Sequence, residues 1–191
     1  MQQEMGYDVS ALAATFRSEL AAAHAEFQQV LEHLTNEDLA LPTSNPAWSV
    51  GEQLMHIVYW LQYTPEAVQL VRKRASLRSR LSRAVPAALF DQLNIWLTHQ
   101  AARGQTRQTI LQRYNLAHQA ALNTLESIRP EEWTQGALFA AFHGEYRTIT
   151  TIFRSNIVHQ AEHLDVIRRA LALKPNARVP DSETPPNNVS A

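Results

Sequence analysis

The last long apolar-periodic segment of the chain contains HQAEH, which sets His159 and His163 four residues apart. On a helix that spacing stacks both imidazoles on one face, one turn apart, within reach of a single ion. The same spacing also arises by chance in ordinary polar pairs. A third histidine strengthens the metal reading, because His56 is the single strongly polar residue of LMHIVYWL, residues 54–61. Burying an imidazole without a partner costs about 1–3 kcal/mol, so His56 needs either a hydrogen bond or a metal ion. If the two helices face each other, His56, His159 and His163 form a three-imidazole site with open coordination positions, the catalytic rather than the closed four-ligand pattern. The alternative is a hydrogen-bonded polar core. Imidazole suits zinc, nickel, copper or iron, and the sequence alone does not choose among them.

Other residues near these three could take part. Asn156 lies one turn before His159 on the same seam, where it could orient a ligand, and Glu162 flanks His163, where it could orient a ligand or act as a general base. Interhelical packing and simple solvation are the competing roles. Glu52 and Tyr63 lie one and two turns from His56, although Glu52 also reads as a helix cap. Tyr59, Trp60 and Tyr63 line either a pocket or the core. Of the remaining histidines, His24, His33, His99, His118 and His143 lack partner spacing, and His118 is the further ligand to check. HQAEH also fits the inverted zinc-protease signature, but only 28 residues follow His163 and leave little room for that fold, so a metal-dependent hydrolase is a minor alternative.

The elements that position these residues are helical throughout. Ser10 reads as an N-cap, after which Leu12, Phe16, Leu20, Ala23, Phe27, Val30 and Leu34 recur at three-four spacing and predict a first helix over 10–35. LPTSNPAW at 41–48 is a turn region. Ser49 and Glu52 form a capping box opening a second helix that runs through Tyr63, is kinked or restarted at Pro65, and ends near Arg74. A helical segment from Pro86 to about Gln100 is broken near Gly104. The third long helix carries Ile110, Leu111, Tyr114, Ala117, Ala121, Leu122 and Leu125 and stops at Pro130; a loop then occupies 130–145. The fourth spans 147–172 on the seam Ile149, Ile152, Asn156, His159, His163, Val166 and Ala170. No alternation of strand type competes. The prediction is an all-α, up-down four-helix bundle over 1–173, with a long connection between the second and third helices, followed by a proline-rich flexible tail over 174–191.

Composition removes several function classes. The chain has 191 residues, enough for one sizeable core but not for two full domains. It lacks cysteine, so any transition metal must be held by nitrogen and oxygen. Neither phosphate-binding glycine signature occurs. A net charge of −1 argues against nucleic acid as a partner. With no signal-like start and no long apolar run, a cytoplasmic protein that avoids membranes is expected. One local exception is the cluster Arg72, Lys73, Arg74, Arg78, Arg80 and Arg83, either a solvated surface or a contact for an anionic cofactor.

NPAWSVGEQLMHIVYW, the long connection and the late HQAEHLDVI resemble the DinB/YfiT-like superfamily of metal-dependent four-helix bundles, over roughly residues 10–172. The resemblance implies that His56, His159 and His163 bind a divalent metal. Relatives include mycothiol-dependent maleylpyruvate isomerase and bacillithiol S-transferases. It therefore also implies transferase chemistry on a small-molecule substrate with a low-molecular-weight thiol, and a homodimer. The isomerase branch carries glutamate at the first position of the histidine pair, where this chain has His159.

Overall fold

The computed structural model of the chain describes residues 9–73, 87–139 and 144–173. The expected tail, His143, and Arg74, Arg78, Arg80 and Arg83 lie outside the described residues. Helix α1 is Val9–Glu32, α2 is Val50–Arg72, α3 is Ala87–Ala102, α4 is Arg107–Glu126 and α5 is Ile149–Ala172. The expected four-helix bundle is present, built from α1, α2, α4 and α5. Helix α2 packs on α4 and α5, and α1 packs on the same two, so α1 and α2 occupy opposite corners.

The sense of each helix follows from its contacts. Arg17 on α1 pairs with Glu126 at the far end of α4, so those helices are antiparallel. Arg154 meets Glu19 and Arg168 meets Glu26, so α5 runs parallel to α1. Gln53 lies beside His163 and Thr64 beside Asn156, so α2 runs against α5. The order is up, down, down, up, so the up-down alternation expected from sequence fails between α2 and α4. Parallel neighbours such as α2 and α4 require a long return connection, and that connection supplies α3, which packs on α2.

Local chemistry sets the helix starts. Glu52 N–H donates to Ser49 Oγ at 3.4 Å and Ser49 N–H to Glu52 Oε2 at 2.7 Å, which completes the expected capping box of α2. Ser10 is not a cap: the helix is already formed at Val9. Pro65 neither breaks nor restarts α2, because burial of Ala67, Val68 and Val71 beyond it outweighs a helix-interior proline cost of about 3 kcal/mol. Gly104, at φ +67°, takes the left-handed conformation that ends α3.

Two further expectations need correction. The segment read as a loop over 130–145 contains a short 3-10 turn, Pro130–Glu132, and the first strand of an antiparallel pair, Gly136–Phe139 with Glu145–Thr148. These four-residue strands are too short for alternation to stand out in sequence. Trp133 of this excursion stacks on Phe16 at 5.6 Å and closes one end of the core. On α5 the fully buried line is Ile149, Ile152, Phe153, Gln160, Leu164 and Ile167, partly rotated from the expected seam. The helix faces both α1 and α2, so its inward arc is wider than one line of residues, and the histidines lie on the α2 side of it. Outside the core, α3 exposes Leu89, Leu93 and Trp96.

Arg72, read in sequence as part of a basic cluster, is a structural tie. Its Nε donates to Glu132 Oε1 at 3.1 Å and its Nη2 to Glu132 Oε2 at 3.0 Å and to the Ser127 carbonyl at 2.7 Å. Burial alone would raise the Glu132 pKa, but bonds from Arg72 and from the Arg129 N–H and guanidinium outweigh it and lower it from 4.5 to about 2. A carboxyl depressed in the folded state stabilises above its unfolded value and loses that contribution as pH falls toward the folded one. Glu132→Gln is therefore expected to lower stability by about 2–3 kcal/mol at pH 7. Its deficit relative to the wild type should narrow in urea titrations as pH drops from about 5 to about 3.

Candidate metal centre

Three helices and one turn assemble the site. Helix α2 contributes Gln53, His56 and Trp60, α5 contributes His159 and His163, and α3 contributes Thr98. The 41–48 segment folds into a compact turn in which the Thr43 hydroxyl donates to the Trp48 carbonyl at 2.8 Å and Trp48 N–H to the Asn45 carbonyl at 3.1 Å. That turn lays the buried Trp48 indole against His56, with ring centroids 4.3 Å apart, and beside His163 at 5.8 Å.

The three histidines expected from sequence come together. His159 Nε2 lies 2.9 Å from His56 Nε2 and 3.1 Å from His163 Nε2. One ligating nitrogen from each falls within 4.8 Å of the others, a group that could hold a metal ion. Nitrogens about 2.1 Å from one ion at 90–109° are about 3.0–3.4 Å apart, close to both short separations.

Hydrogen bonding sets the tautomers. His163 Nδ1–H donates to Gln53 Oε1, and the Gln53 amide is itself oriented because its Nε2 donates to Thr43 Oγ1 at 3.3 Å. Trp60 Nε1–H donates to His56 Nε2 at 2.8 Å, so that nitrogen carries the lone pair and Nδ1 carries the proton, facing Thr98 Oγ1 at 3.4 Å. Two lone pairs thus converge on His159 Nε2. Only a shared N–H or a cation makes that arrangement favourable.

The rings are held neutral. Burial first, then the neighbouring His163 and His159, lowers the His56 pKa to about 2. Burial lowers His159 to about 4, and burial with His159 lowers His163 to about 3. A metal arriving near neutral pH meets neutral rings, and His159 need only move its proton from Nε2 to Nδ1 to offer its lone pair. No carboxylate joins this converging group among the described residues. The donor chemistry therefore fits a divalent transition ion on three neutral imidazoles.

A family model described as the DinB superfamily matches residues 19–167. The chain belongs to the DinB superfamily. No curated protein and no solved structure matches it. Membership agrees with the resemblance carried by NPAWSVGEQLMHIVYW and HQAEHLDVI, and both segments fall inside the matched DinB region.

The other sequence candidates fall in different places in this DinB bundle. Asn156 Nδ2 donates to Thr64 Oγ1 at 2.7 Å, tying α5 to α2 one turn from His159. Glu162 is exposed on α5. Tyr59 is 39% exposed, whereas Tyr63 packs edge-on against Trp60 at 6.3 Å. His118 is not in the group; it stacks on His24 of α1 at 4.3 Å. His33 bonds its own helix at the Gln29 carbonyl. Sequence reasoning missed Gln53, Thr98, Trp48 and His99. Gln53 sits three residues from His56 as a polar residue inside a buried stretch, a signal of the same kind that marked His56. Thr98 and His99 carried no signal, since only the packing of α3 on α2 brings them here.

No helix among the described residues is long and apolar enough to cross a membrane. Two substitutions test the centre. Gln53→Ala leaves His163 Nδ1 without its acceptor and should weaken zinc binding about 10–100-fold in chelator competition. Trp60→Phe removes the donor that competes for the His56 Nε2 lone pair and should tighten zinc binding by up to about 10-fold.

Proposed function

We propose that the chain binds one divalent metal ion through His56, His159 and His163 and uses it to activate a low-molecular-weight thiol for transfer to a small electrophilic substrate. The observation that carries this reading is the meeting of three neutral imidazoles at their Nε2 atoms, two of them with Nδ1 turned to Gln53 and Thr98. With three protein ligands, coordination positions remain for a small molecule. When bound, a zinc or nickel ion lowers the pKa of a coordinated thiol or water and supplies a nucleophile near neutral pH.

The protein's own residues would do the rest. Among the described residues Trp48 Nε1 is buried with no hydrogen-bond partner, and its ring lies on His56, which leaves a donor beside the centre for a polar group of the substrate. Trp60 adds an apolar wall against His159, with ring centroids 5.5 Å apart. Asn156 fixes the register of α5 against α2 through Thr64. Glu162, on the exposed flank of the helix, is left the role of a proton exchanger with solvent. A second reading has one observation in its favour: Trp60 already satisfies His56 Nε2, as a non-catalytic polar core would require.

Metal content separates the two. Untagged protein is expected to carry about one equivalent of zinc or nickel by plasma mass spectrometry, and the triple variant His56→Ala, His159→Ala, His163→Ala none. Excess zinc at 100 times its Kd should stabilise the wild type by about 2.7 kcal/mol and leave the triple variant unchanged. A wild type that takes up no zinc, nickel or manganese overturns the metal reading. Turnover of low-molecular-weight thiols with an electrophilic acceptor is expected to vanish in His159→Ala.

A further inference from the structure

Beside the three histidines lies a pair that the centre does not use. Glu52 is one helical turn before His56 on α2, and its two oxygens have separate tasks. Oε2 accepts the Ser49 N–H at 2.7 Å as the cap of the helix, while Oε1 accepts from His99 Nδ1 on α3. Capping alone needs only one of these bonds. Burial opposes ionisation of Glu52, but the Ser49 N–H, His99 and the Ser49 hydroxyl outweigh it and hold the carboxyl below its ordinary pKa. An ionised carboxylate on Nδ1 fixes the tautomer of His99 and leaves Nε2 with a lone pair.

Position connects this pair to the centre. Thr98, adjacent to His99 on α3, contacts His56 Nδ1 at 3.4 Å. Gln53, adjacent to Glu52 on α2, holds His163. Each member of the pair is therefore next in chain to a residue that touches a candidate ligand. The His99 side chain is 39% exposed and Glu52 20%, so the imidazole is open to solvent while its partner, one turn from His56 on α2, is mostly covered. A carboxylate-braced histidine next to residues that touch the site has the parts of a general base: a bare Nε2, a carboxylate partner on Nδ1, and a route for the proton to water.

We infer that His99, positioned by Glu52, is the proton acceptor for a thiol entering the centre. The step is balanced: the S–H bond breaks, sulfur keeps the electron pair, and the proton passes to His99 Nε2. The resulting imidazolium pairs with the Glu52 carboxylate, and solvent later removes the proton. This rests on the thiol reading above, and the experiment is arranged so that the two fail separately.

Long-range proton–nitrogen NMR on the protein as purified reads the tautomer directly. His99 is expected as the Nδ1–H form with a bare Nε2, and Glu52→Gln is expected to lose that preference. Stopped-flow absorbance then follows β-mercaptoethanol binding to the cobalt-substituted protein through the sulfur-to-cobalt band. His99→Gln should retain one equivalent of cobalt and the wild-type circular dichroism, with thiol entry slowed about 100-fold or more. A wild type that binds no cobalt, or binds cobalt but shows no sulfur band, overturns the thiol reading and this inference with it. Cobalt binding with an unchanged rate in His99→Gln, or a wild-type His99 in the Nε2–H form, overturns this inference alone.

Discussion

Three imidazoles meeting at their lone-pair nitrogens inside a helical bundle are the constraint around which the rest is arranged. Each ring gives up water, and burial keeps each of them neutral. Neutral rings in contact either share protons or surround a cation, and their surroundings decide which nitrogen of each is offered. Here those surroundings are specific. Gln53 accepts a hydrogen bond from the Nδ1–H of His163, while Trp60 marks Nε2 of His56 as an acceptor.

That arrangement explains features of the fold remote from the helices that bear the three histidines. The turn between α1 and α2 places the Trp48 ring on His56, and its Thr43 hydroxyl orients Gln53. The long connection after α2 permits α2 and α4 to run in the same direction. Its helix α3 supplies Thr98 to His56 and His99 to Glu52. At the opposite end, Arg72 and Glu132 anchor the last turn of α2, and Trp133 caps the core against Phe16. The site thus occupies the half of α2 nearer its N-terminus, and the structural ties hold the other half.

Much of this was legible in the chain. The spacing of apolar residues located four long helices because amphipathic periodicity reflects a one-sided burial that local geometry enforces. The same spacing set His159 and His163 on one face, and the apolar surroundings of His56 marked it as buried before any contact was known. Membership of the DinB superfamily was visible in the order of those segments. Less legible were the two short strands, whose four-residue length holds too few alternations, and the burial line of α5, where contact with two helices widens the inward arc.

The sequence by itself determined the helices, the cap at Ser49 and Glu52, and the three histidine positions, since these depend on interactions within about one turn of chain. The tertiary structure alone decided which groups surround them. His99 showed no partner spacing, yet it meets Glu52, 47 residues away in the chain. Trp48 lay in a turn and became a wall of the centre. Gln53 and His163 are 110 residues apart and share one hydrogen bond. Such pairings are set by how α2, α3 and α5 pack together, and helical periodicity along one segment carries no information about what a distant segment brings against it.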